Sequence, residues 1–100
     1  MSKYTTRVEL HKATSENYET LHVEMEKEGF TRTIFYEDDP NVYQLPTAEY
    51  NFGGEIDIEQ VRENAKTAAS RTGKAYSIIV TKADGPRYIY NLPVVRQRVL

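Results

Sequence analysis

Asp57-Ile58-Glu59-Gln60-Val61-Arg62-Glu63-Asn64-Ala65 opens a segment that reads as a helix from its first residue and stops at Gly73. Asp57 is an N-cap type and Gln60, three residues on, completes the pattern of a capping box. Ile56 and Val61 stand where a hydrophobic staple closes. Ile58, Val61, Ala65, Ala68 and Thr72 recur at helical spacing and form the expected core stripe, with Gly73 as the left-handed stop. The alanines in that stripe bring the helix axis close to whatever lies beneath it.

Reading outward toward the C-terminus, Tyr76, Ile78 and Val80 alternate with Ser77, Ile79 and Thr81. This is a strand apolar enough on both faces to be expected at the centre of a sheet. Ala83-Asp84-Gly85-Pro86 is a turn, and Arg87-Tyr88-Ile89-Tyr90-Asn91 reads as a strand returning as a hairpin until Pro93 breaks it. The tail, residues 92–100, is apolar and basic. It either docks on its own sheet or adds a strand to the sheet of a neighbouring copy.

Toward the N-terminus, Gly53-Gly54 ends a strand in which Ala48, Tyr50 and Phe52 alternate with Glu49 and Asn51. Pro46 predicts a bulge or an edge just before it. Val42 to Leu45 is a further strand piece. Glu37-Asp38-Asp39-Pro40-Asn41 cannot extend any strand, because adjacent acids repel and Pro40 has no amide donor. Phe30 to Glu37, β-branched and aromatic, is expected as a strand. Before it, Thr14 or Ser15 caps a helix carrying Tyr18, Leu21, His22 and Met25 on one stripe and ending at Gly29. Tyr4, Thr6, Val8 and Leu10 alternate with Thr5, Arg7, Glu9 and His11, the period of a strand with one buried face.

The order is strand, helix, strand, strand, helix, strand, followed by a C-terminal strand. Residues 1–100 are therefore expected to form one α+β domain, a ferredoxin-like β-α-β-β-α-β sandwich with both helices on one face of an antiparallel sheet. That scaffold serves many functions, so function has to come from side chains.

Composition narrows the field. The absence of cysteine removes disulfides, thiolate catalysis and thiolate metal sites. No apolar run approaches the ~20 residues of a membrane span, and Met1-Ser2-Lys3-Tyr4 lacks an apolar secretory core, so no membrane association and a cytoplasmic address are expected. The net charge of −2 argues against binding driven by bulk phosphate attraction alone. The charge is uneven, however. Glu16, Glu19, Glu24, Glu26 and Glu28 load the first helix, whereas Arg87, Arg96 and Arg98 stand in a final stretch of fourteen residues without an acid.

His11 and His22 are the only histidines, the side chains best suited to moving protons near neutrality. Glu9 and His11 share the outward set of the first strand, an arrangement that can act as acid and base or hold a divalent metal such as magnesium. No metal motif of recognised spacing accompanies them. Glu37, Asp38 and Asp39 read as a solvated turn rather than a calcium loop, since the alternating ligands and central glycine are missing. Tyrosine is abundant, eight residues in all and most of them in strand segments, and aromatic sheet faces can stack single-stranded bases.

Tyr4-x4-Glu9 on the first strand, a helix from Tyr18 closing at Gly29-Phe30, and a polar loop from Glu37 to Tyr43 leading into Gln44-Leu45 and an aromatic strand make a pattern. In this layout, across residues 4–83, the chain resembles the GhoS-like antitoxins of type V toxin–antitoxin systems. The resemblance implies a ferredoxin-like endoribonuclease that cuts the messenger of a toxin. It places Glu9 where the family has an acid on strand one, and His22 where it has a basic residue on the first helix. Glu9, His11 and His22 are then the candidate catalytic residues, and Arg7, Arg87 and Tyr88 the candidate contacts to single-stranded RNA. His22 is also a candidate phosphate contact, and self-association through the C-terminal strand into a homodimer is expected. The rival reading is a non-enzymatic dimeric interaction or regulatory module.

Overall fold

The structure, a computed structural model, describes residues 2–100; Met1, at the head of the polar N-terminal stretch, lies outside it. The chain runs β1 (Lys3–Leu10), α1 (Ser15–Lys27), β2 (Thr33–Phe35), β3 (Asn41–Gln44), β4 (Glu49–Gly53), α2 (Ile58–Ser70), β5 (Tyr76–Lys82) and β6 (Val94–Gln97). These form an α+β fold of two helices and two three-stranded antiparallel sheets, ordered β4-β1-β5 and β2-β3-β6.

The alternation in β1 sets the main core. Tyr4, Thr6, Val8 and Leu10 are buried, and both helices lie on that side. Leu21 and Met25 of α1 and Val61, Ala65, Ala68 and Ala69 of α2 close over Tyr4, Val8, Phe30 and Tyr50. Each large apolar side chain removed from water here contributes about 1.5–3 kcal/mol before entropy is subtracted. Thr14 caps α1 with a full capping box in which Asn17 holds the reciprocal position. Gly29 ends that helix at a φ of +93°, and a Cβ there would come within 3.2 Å of the Phe52 ring. One residue type thus satisfies both the left-handed turn and the aromatic packed against it.

Several expectations are corrected. Instead of standing at the centre, β5 is an edge strand, paired only with β1, and Ile79 on its outer face is 63% exposed. A two-sided apolar pattern was misleading here because only the Tyr76, Ile78, Val80 side meets the helices. The hairpin strand over Arg87–Asn91 does not form: Pro86 brings no donor to the edge of β5, and Arg87 bonds across the sheet face instead of along its edge. Strand formation within Phe30–Glu37 shrinks to β2, preceded by a lone bridge between Thr31 and Asn51 on the outer edge of β4. That bridge marks the place where the second strand of a ferredoxin-like sheet belongs. Beyond it the chain peels away to build the second sheet around buried Ile34 and Val42, so one continuous layer becomes two.

Two helix details also differ from expectation. Asp57 stands at the N-cap of α2 without a side-chain bond, and Gln60 turns to Asn64, 2.9 Å away, so neither half of the expected capping box forms. Ile58 stays exposed at the end of the stripe, with Ala69 buried where Thr72 is only half-covered. The tail takes the first of its two alternatives and pairs with β3 of its own chain, with a bulge at Val42/Tyr43. There Arg98 stacks 4.2 Å above the Phe35 ring while its guanidinium donates to the carbonyls of Tyr36, Glu37 and Asp39. Among the described residues no helix is long and apolar enough to cross a membrane.

Candidate functional site

With both helices on one side of the β4-β1-β5 sheet, the opposite side carries the other half of each strand. In antiparallel register, directly opposed residues share a face. Thr5 therefore sits between Asn51 and Thr81, Arg7 between Glu49 and Ile79, and Glu9 opposite Ser77. Lys3 stands at one end of this row and His11, just past the strand, continues it at the other, so the face carries Lys3, Thr5, Arg7, Glu9 and His11 in sequence.

At the upper end, the backbone amide of His11 donates to the Ala75 carbonyl at 2.8 Å, which fixes the residue just beyond the strand. Its Nε2 lies 2.8 Å from Ser77 Oγ. Among the described residues Nδ1 has no hydrogen-bond partner. Glu9 is exposed next to it. Arg7 reaches Glu49 at 3.7 Å, a loose exposed pair of little energetic weight that a phosphate could displace.

At the lower end, Arg87 lies across the face, donating from Nη1 to Thr5 Oγ1 at 3.3 Å and Asn51 Oδ1 at 2.9 Å. Its carbonyl accepts from the Tyr36 hydroxyl at 2.6 Å. Arg87 is therefore chiefly an anchor that holds the segment after β5 against the sheet, a structural duty in place of the expected free phosphate contact. Between this segment, the open face and the second sheet runs a groove of about 480 Å³ floored by Thr5, Ile34 and Leu45. Tyr88 and Tyr90 stand at its rim, 90% and 91% exposed.

His22 lies elsewhere. It is 5% exposed, on the helix side of the sheet, with Nδ1 2.6 Å from the Tyr50 hydroxyl. Burial lowers its pKa below the ordinary imidazole value, and Arg32 adds to this, against the opposing pull of Glu19 and Glu26. Burial likewise raises the Tyr50 phenol well above its usual range. A neutral imidazole and an intact phenol share one hydrogen, which is the condition of a satisfied core pair. The sheet thus separates His22 from Glu9 and His11, and its position rules out contact with a phosphate on the open face. The candidate catalytic trio is split into a pair and a core residue.

The acidic loop is likewise structural at its last member. Asp39 accepts from the Tyr43 hydroxyl at 2.6 Å and the Asn41 amide at 2.9 Å, and these bonds, the Tyr43 one foremost, hold its carboxyl below the usual carboxylate range. Among the described residues no three His, Asp or Glu side chains gather in a way that could hold a metal ion. Glu9 and His11 alone do not make a cage for magnesium, and no role is assigned through one.

Sequence reading missed Ser77, Asn51 and Tyr90. Ser77 was legible as an outward residue of its strand, but only the pairing register sets it beside His11. Comparison with protein-family models, with characterised proteins and with solved structures finds no match to this chain.

Proposed function

We propose that this protein binds single-stranded RNA on the open face of the β4-β1-β5 sheet and cleaves it there, the activity implied by its resemblance to the type V antitoxins. The observation that carries the reading is the adjacent exposure of Glu9 and His11 on one face, with Ser77 orienting the imidazole and Arg7 next in the row. Cleavage then follows from side chains alone. The Glu9 carboxylate takes the proton from a ribose 2′-hydroxyl, whose oxygen bonds to the neighbouring phosphorus. The bond from phosphorus to the 5′-oxygen breaks, and the His11 imidazolium gives that oxygen its proton. The products are a 2′,3′-cyclic phosphate and a 5′-hydroxyl end. Arg7 stabilises the charge that builds on the phosphate oxygens.

Single-stranded RNA incubated with the protein, with magnesium and with a chelator, tests this. Glu9→Ala and His11→Ala are each expected to slow cleavage by about 10²- to 10⁴-fold, the usual worth of a positioned acid or base. Intact RNA with the wild-type protein, or equal cleavage by wild type and the double variant, would overturn the enzymatic reading.

A further inference from the structure

The segment from Pro86 to Tyr90 has no ladder hydrogen bonds, yet its exposure alternates. Arg87 and Ile89 turn toward the sheet and are half-buried, while Tyr88 and Tyr90 turn outward. Period two is the mark of extended backbone, which puts Tyr88 and Tyr90 on the same side. Two residues of extended chain rise about 6.7 Å, which is twice the ~3.4 Å step per base of a stacked strand. One planar ring fits between two side chains held at that spacing. Arg87 anchors the start of the segment through Thr5, Asn51 and Tyr36, the Pro93 carbonyl accepts from the Gln44 amide beyond its end, and Ile89 between the tyrosines is half-buried.

Two tyrosines about nine-tenths exposed are unusual where nothing covers them, and their surroundings indicate what does. Lys3 and Arg7 lie on the neighbouring strand face, so a ring between the tyrosines that carries an anionic backbone finds cations along its path. We infer that Tyr88 and Tyr90 form a clamp that sandwiches one nucleobase of a single strand whose phosphates follow β1. This rests on the RNA reading above but concerns binding, and it holds whether or not cleavage follows. The clamp stacks any base, so it confers grip without sequence preference.

A labelled eight-nucleotide oligodeoxyadenylate tests it by fluorescence anisotropy, because it lacks the 2′-hydroxyl and stays intact. A companion strand with 2-aminopurine at internal positions reports stacking as a loss of emission. Tyr88→Ala and Tyr90→Ala are each expected to weaken binding about 5- to 100-fold and to abolish the emission loss, with far-ultraviolet circular dichroism unchanged. The Phe replacements should bind within about twofold of wild type, since stacking needs the ring and not the hydroxyl. Absence of binding by the wild-type protein, Ala variants that bind as wild type does, or Phe variants as weak as Ala, would each overturn the clamp. Ala variants that bind normally while RNA is cut would overturn the clamp alone; tight, tyrosine-dependent binding without RNA cleavage would overturn the enzymatic reading alone.

Discussion

His22 illustrates how one residue's surroundings decide its role. Its place on the stripe with Leu21 and Met25 was legible from spacing, and the structure buries it there. What spacing could not show is Tyr50, 28 residues away, which supplies the hydrogen bond that makes burial tolerable. The pair also makes stability depend on pH. The unfolded chain carries an ordinary imidazole of pKa near 6.5, and the folded one is lower. Between the two values the unfolded state takes up a proton that the folded state refuses, so stability is complete above about pH 6.5 and falls as pH drops through the window below it. Urea unfolding at pH 7.5 and pH 5.5 should show a lower midpoint at the acidic pH for wild type. The shift should be smaller in His22→Leu/Tyr50→Phe, which removes both partners without leaving either unpaired. Equal shifts in the two proteins would show that another group titrates.

At the level of elements, legibility followed local chemistry. The second helix has its own stop and apolar period and the first strand its own alternation, and both formed close to the expected bounds although the capping box of the helix did not. The segment after β5 failed because its outcome depends on tertiary contacts: Arg87 finds Thr5 and Asn51, which no local pattern reveals. The tail was legible only as a pair of alternatives, and Arg98 is part of what settles it. Its planar guanidinium gathers the carbonyls of Tyr36, Glu37 and Asp39 and covers Phe35, tying β6 to the turn before β3. Arg98→Ala is expected to destabilise the fold by about 2–3 kcal/mol, the scale of charged hydrogen bonds. Arg98→Lys should recover less than half of that loss, since an ammonium lacks the flat face that stacks on Phe35. Chemical denaturation measures both, and an Ala variant within about 0.5 kcal/mol of wild type would mean that β3 alone holds the strand.

For the molecule as a whole, the order of elements predicted helices on one side and a free face on the other, and the β4-β1-β5 sheet has that arrangement. The split into two sheets was hidden, because alternation in residues 33–45 states which side of a strand is buried and not which neighbour it joins. The split shapes the surface: the second sheet and the Arg87–Leu92 segment wall one end of the open face and turn it into a groove. The charge asymmetry read from the sequence is redistributed by the fold. Of the basic residues near the C-terminus, Arg87 and Arg98 are engaged in structural bonds, whereas the acids of α1 lie on the helix side of the sheet, away from Lys3 and Arg7 on the open face. The most direct test follows backbone amide resonances as a short single-stranded RNA is added to the His11→Ala protein, which should bind it uncut. Shifts are expected at Thr5, Arg7, Glu9, Ser77 and Ile79 and through Arg87–Tyr90, with α1 and α2 silent. Shifts centred on the helices, or none at saturating RNA, would contradict the account.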